Sequence, residues 1–212
     1  MSSELHIKIL RAVSPFDEGV SPLKLNVLHN TAGGGASRPN RTAAVLVPVL
    51  DKPEPEILLT VRSRLLLQHP GQVIVPGATV DRTDRSAVST ALREAEEEIG
   101  LDFSQVSPLG FLDRVDTISD YRVLPVVGLV RSSFVWMPDE REVAEVFTIP
   151  LELAVDHRKY THQNVNHDGK NVVISSLEWK GHQVWGITAA ILLNFGHRME
   201  ESRDGVAIVN ER

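Results

Sequence analysis

This sequence predicts an α/β domain with a mixed sheet and helices packed on it, and three observations point that way. Short β-branched runs recur through the middle of the chain, stretches of helical period interrupt them, and no internal repeat is visible. At 212 residues and 42% apolar content, the chain is sized for one domain with a modest extension and a real core.

Residues 1–41 read as an N-terminal arm that ends in a linker, because NTAGGGASRPNR (30–41) concentrates Gly, Asn, Ser and Pro. Its glycines lack a following Gly-Lys-Ser/Thr and a strand-loop-helix context, so a linker is favoured over a phosphate loop. The main domain is expected over 42–200. TAAVLVPVL, EILLTVR and QVIVPG read as strands, as do YRVLPVVGLV and EVFTIP further on. NVNHDGKNVVISSLEW reads as a hairpin turning at Asp168-Gly169. WGITAAILLNFGHRME has helical length and spacing, and 201–212 read as a frayed tail. Trp185 is expected in the core, with adenine stacking as the alternative.

The net charge of -6 repels phosphate backbones, so no nucleic-acid partner is expected, and a polyanionic ligand would need a local inversion of sign. No cysteine occurs, which excludes disulfides, thiolate nucleophiles and cysteine-based zinc sites. MSSELHIKIL lacks a basic start followed by an apolar core, and no uncharged apolar run has membrane-spanning length. A cytoplasmic protein with no membrane partner is the expectation, and a homodimer is left open. His157, His162 and His167 form no His-Glu-x-x-His, which argues against zinc hydrolysis.

The chemistry concentrates in ALREAEEEIGL (91–101). Asp84 is expected to cap a helix that begins near Arg85, and Gly100 to end it. On a wheel of about 100° per residue, Ala87, Val88, Ala91, Leu92, Ala95 and Ile99 form the core-facing stripe. Measured from Ala91, Glu98 lies near about -20°, inside that stripe, and Glu94 near about -60°, at its edge; Glu97 falls near about -120° and Glu96 near about 140°. Glu96 reads as solvated. An unpaired carboxylate in the stripe costs several kcal/mol, so the cluster calls for a partner. Two readings stand: a shared Mg2+ or Mn2+, favoured by hard oxygen donors, or a salt-bridge network with Arg93, Arg62 or Arg64.

The same residues carry a family resemblance. GATVDRTDRSAVSTALREAEEEIGL (77–101) resembles a Nudix box through Arg93, Glu94, Glu97, Glu98 and Gly100. Asp84 stands where a glutamate is usual, one residue further from Arg93, a departure typical of the coenzyme A pyrophosphatase branch. LLTVRSRLLLQHPGQVIVPGA is similar to that branch's signature through Leu58, Leu59, Thr60, Arg62, Ser63, Gly71, Pro76 and Gly77. Leu67, Val75 and Ala78 depart from it, replacing an arginine, a phenylalanine and a glycine. With VDTISDYRVLPVVG, REVAEVFTIPL and VWGITAAI, the resemblance extends over roughly 42–199.

The resemblance implies a Nudix α/β/α sandwich and metal-dependent hydrolysis of a pyrophosphate bond in a small nucleotide. For this branch the substrate is coenzyme A or an acyl-CoA, cut to 3',5'-ADP and a 4'-phosphopantetheine product. Wheel and motif together make Glu94 and Glu98 the principal metal ligands, with Glu97 a third ligand or the base that orients water. Glu142 aligns with an acidic position of the branch and is a candidate ligand or base. Arg62, Gly77 and Ala78 are the candidate substrate contacts, and Arg93 and Gly100 the structural supports. Leu67 cannot clamp phosphate as arginine does, and Ala78 adds a methyl where glycine admits a phosphate. ADP-ribose or a dinucleotide therefore stays open as substrate, as does a noncatalytic nucleotide-sensing module.

Overall fold

The strand β1 (Arg41–Leu50) is buried along most of its length because apolar layers cover both of its faces. The computed structural model describes residues 3–16, 41–117, 121–167 and 170–207. β1 runs parallel to β7 (Tyr121–Val130) in unbroken register from Arg41↔Tyr121 to Leu50↔Val130. Its other edge changes partners. At one end it pairs with β2 (Glu56–Arg62) through Val49↔Ile57 and Leu50↔Glu56. At the other it pairs with β4 (Gly77–Thr79) through Val45↔Gly77, Ala44↔Ala78 and Ala43↔Thr79. β2 thus splays away from β1, and the chain that returns from β3 (Val73–Ile74) fills the split as β4. That split positions the candidate site.

β5 (Val106–Phe111) and β6 (Val115–Asp116) pair with β7, and β8 (Val143–Pro150) pairs with β2, which among the described residues makes an eight-stranded mixed sheet. β9 (Thr161–His167), β10 (Lys170–Trp179) and β11 (His182–Trp185) form a separate three-stranded sheet. The expected hairpin is β9–β10, paired from His167↔Lys170; its turn, Asp168-Gly169, lies outside the described residues.

Among the described residues, four α-helices complete the layers: α1 (Ser3–Ala12), α2 (Ala87–Ile99), α3 (Leu151–Val155) and α4 (Gly186–Ala207). On one face of the sheet, Ala44, Leu46 and Leu50 pack with Ala91, Ala95 and Ile99 of α2. On the other, Ala43, Val47 and Val49 share a core with Ile9 and Ala12 of α1 and with Ala189, Leu192 and Phe195 of α4. This is the expected α/β/α arrangement.

Three expectations need correction. Residues 3–16 are packed into the body: Ser14 exchanges two backbone hydrogen bonds with Phe111, and Arg198 donates to the Ala12 carbonyl and to Ser14 Oγ. Residues 30–40 of the expected linker lie outside the described residues. α4 runs to Ala207, past the start of the expected tail. Trp185 is 38% exposed, because it ends β11 at a sheet edge instead of entering the core.

Candidate active site

Three candidate carboxylates ride on α2, so its caps fix where they point. The N-cap is Ser86 and not Asp84: Ser86 Oγ accepts from the Ser89 N–H at 3.1 Å, and Ser89 Oγ accepts from the Ser86 N–H at 2.9 Å. This reciprocal box satisfies two donors at once, so the helix starts two residues later than expected and Asp84 turns elsewhere. The other end is as expected. Gly100 sits at φ 71, its N–H reaches the Glu96 carbonyl at 2.9 Å, and the Leu101 N–H reaches that of Ala95 at 3.2 Å.

The wheel's ranking of the glutamates is what the structure shows. Glu98 is 4% and Glu94 9% exposed, while Glu96 and Glu97 face solvent. Glu98 Oε1 accepts from the Gly77 N–H at 3.4 Å, and its Oε2 is buried with no hydrogen-bond partner. Gly77 is required there: at φ +149 it lies so close to β1 that a Cβ would clash with the Ala44 carbonyl oxygen. Burial pushes the Glu98 carboxyl up to about 8, opposed by the Gly77 N–H; the charges of Glu94 and Glu142 push the same way and Arg62 opposes. Burial also raises Glu94, against the pull of Arg93.

Arg93 occupies the outer side of the helix. Its Nε and Nη2 clasp Asp84 at 3.1 and 3.0 Å, and its Nη1 reaches Glu94 Oε1 at 2.6 Å and Glu97 Oε2 at 3.1 Å. The Asp84 carboxyl is held well below its ordinary range by that guanidinium, and the Thr90 hydroxyl also donates to it at 2.8 Å. The salt-bridge reading is therefore realised on one side of the cluster, and Glu98 is outside it.

Arg62 ends β2, and its Nε donates to the Gln68 carbonyl at 3.2 Å, closing the loop that leads to β3. A bulge after Val61 brings Arg62 opposite Val143, the first residue of β8. Glu142 lies just before it, exposed, with its carbonyl accepting from the Ser63 N–H at 2.8 Å. Ala78 pairs with Ala44 beside Gly77. Asp139, which with Ser63 shapes the Glu142 loop, was not singled out from the sequence, and Ser63 only as a signature position; Pro138-Asp139 is the turn signal that could have found Asp139.

A divalent cation fits this donor set by chemistry. Glu98 Oε2 is a buried orphan acceptor, the donors are hard oxygens, and burial, with repulsion from neighbouring carboxylates behind it, raises both Glu98 and Glu94. As the side chains stand, no three His, Asp or Glu groups among the described residues converge into a finished cage, and Glu94 and Glu97 each turn one oxygen to Arg93. The described histidines join no such cluster either. Among the described residues, no helix is long and apolar enough to cross a membrane.

Residues 40–167 match the NUDIX domain, more than half of the chain. A curated relative, "Uncharacterized Nudix hydrolase NudL" of Yersinia pestis (strain Pestoides F), is 41% identical over 164 residues, 77% of this chain and 82% of that one. Among solved structures, the fold is similar to a C. elegans Ap4A hydrolase binary complex, with a TM-score of 0.50 and 16% identity over 78% of this chain and 98% of that one. The MutT protein of Methanosarcina mazei Go1 is similar to the same degree, with a TM-score of 0.50 and 18% identity over 80% and 99%.

Proposed function

The chain belongs to the Nudix hydrolase family, whose members hydrolyse pyrophosphate bonds in small nucleotides and generally work with divalent metal ions, and on that premise we propose its substrate and the roles of its residues. The substrate is coenzyme A or an acyl-CoA, cut in the cytoplasm to 3',5'-ADP and (acyl-)4'-phosphopantetheine. The single observation that supports the site assignment is the orphaned, buried Glu98 oxygen facing the split strands.

Glu94 and Glu98 would hold Mg2+ or Mn2+, with Glu97 as a third ligand or the water-orienting base. Bound there, the ion would supply charge neutralisation for the diphosphate and acidify a water. The chain's own residues do the rest. Gly77 brings backbone close to the site, and its N–H fixes the Glu98 carboxylate. Arg62, whose charge lowers the Glu98 carboxyl, would offer a cation to a diphosphate oxygen. Arg93 holds Asp84 and two glutamates in place, and Glu142 offers a base or ligand from the opposite wall.

A second reading keeps the chemistry and changes the substrate to ADP-ribose or a dinucleotide. It is favoured by Leu67, which is fully exposed where the branch signature has an arginine. The experiment is incubation of the protein and Mg2+ with coenzyme A, ADP-ribose and NADH, with products resolved by chromatography. Release of 3',5'-ADP supports the first reading, cleavage only of the other two supports the second, and binding without cleavage supports a nucleotide sensor.

A further inference from the structure

The loop that carries Glu142 is fastened to α2 itself. The Asp139 N–H donates to the Glu98 carbonyl at 3.0 Å, and the Met137 N–H to the Ile99 carbonyl at 2.8 Å. These carbonyls belong to the last turn of α2, where a helix leaves acceptors without partners of its own. Asp139 then turns the chain. Its Oδ1 accepts from the Arg141 N–H at 3.0 Å, and its carbonyl accepts from the N–H groups of Glu142 at 2.9 Å and Val143 at 2.8 Å. From the other wall, buried Ser63 donates its N–H to the Glu142 carbonyl at 2.8 Å and its hydroxyl to the Glu140 carbonyl at 3.2 Å. Glu142 is thus held by its own N–H and C=O, with α2 on one side and β2 on the other.

We infer that Asp139 and Ser63 are positioning residues that set Glu142 against Glu94 and Glu98 without touching substrate themselves. The inference rests on the proposed hydrolase reading and on the place of Glu142 in it. An exposed glutamate beside two buried carboxylates is repelled by them, and a mobile backbone would let it swing toward water. Pinning both of its peptide groups removes that freedom and keeps the carboxylate within reach of the reaction. The Asp139–Arg141 ion pair carries little of the effect, because Arg141 is exposed and surface pairs contribute little. The contact that matters is the acceptance from the Arg141 N–H, which asparagine can also make.

The test compares steady-state kinetics with Mg2+ and the cleaved nucleotide, and hydrogen exchange over 138–145 in the protein alone, for Asp139→Ala, Asp139→Asn, Ser63→Ala and Glu142→Gln. Asp139→Ala should lower kcat about tenfold with KM held within about twofold, and should speed exchange in that segment. Asp139→Asn should restore kcat to within about twofold of the parent and restore protection. Ser63→Ala, which removes one hydroxyl, should lower kcat about threefold and carries the same test if Asp139→Ala does not fold. Unchanged kcat in Asp139→Ala, or a change in KM alone, beside a Glu142→Gln variant at least about tenfold down, would overturn the positioning role. Full turnover by Glu142→Gln would overturn the role of Glu142, and a parent protein that cuts no nucleotide would overturn the hydrolase reading itself.

Discussion

The two sides of α2 carry the same chemical group in opposite electrical states. On the outer side, Asp84 is clasped by Arg93 and its proton affinity is depressed. On the inner side, Glu98 lies deep in the core-facing stripe and meets a single backbone N–H, and its carboxyl rises to about 8. Burial raises both carboxyls, but it is the leading cause for deep-lying Glu98 and is outweighed by Arg93 at half-buried Asp84. The partner differs as well: a guanidinium completes the outer site, and the inner one is left with an unsatisfied oxygen. On the proposed reading, the outer side is a support and the inner side a receptor for a cation.

The comparison breaks most visibly if the two sides are edited separately. Glu98→Gln keeps the shape and removes the charge, so turnover should fall at least about a hundredfold while circular dichroism stays native. Similar turnover in that variant would remove Glu98 from the chemistry. Next in size is the pH dependence of stability without metal. A carboxyl raised on folding holds its proton better in the native than in the unfolded chain, so its contribution is present below its ordinary value of 4.5 and is lost as pH rises through about 8. Denaturant titrations should show a loss on the order of a few kcal/mol across that window, absent in Glu98→Gln and reduced by Mg2+.

The outer side should behave with the opposite sign. Asp84 is depressed, so its contribution is present above its ordinary value of 3.8 and lost as pH falls below it. Asp84→Asn should cost about 1–3 kcal/mol at neutral pH and flatten the acid limb, with a smaller effect on kcat than Glu98→Gln. Equal losses of turnover in the two variants would erase the distinction between support and receptor. The smallest effect is expected from Leu67→Arg, an exposed position that restores the branch's arginine: Tm should not move, and KM for coenzyme A should fall about threefold to tenfold. An unchanged KM would separate this loop from phosphate recognition.

The inner side was legible in the sequence because helical period is a local property: the wheel put Glu98 among Ala91, Ala95 and Ile99, and those residues do share its face. Arg93 and Gly100 were legible for the same reason. The start of α2 was misread because Asp84 has a capping side chain, yet a partner nine residues away claims it, and the Ser86/Ser89 box takes over. Trp185 was misread because its exposure depends on which strand lies at the edge, which no local pattern states. Ser63 and Asp139 were invisible as a unit for the same reason: 76 residues separate them, and only the β2–β8 pairing brings their loops together.

The central claim is that a divalent cation takes the place of the proton on Glu98. Titration calorimetry of Mg2+ into the protein near pH 7, repeated in buffers of different ionisation enthalpy, counts the protons released on binding. With the Glu98 carboxyl at about 8, the account predicts release of most of one proton by the parent protein and close to none by Glu98→Gln. Binding with no proton release, or the same release from both proteins, would contradict it.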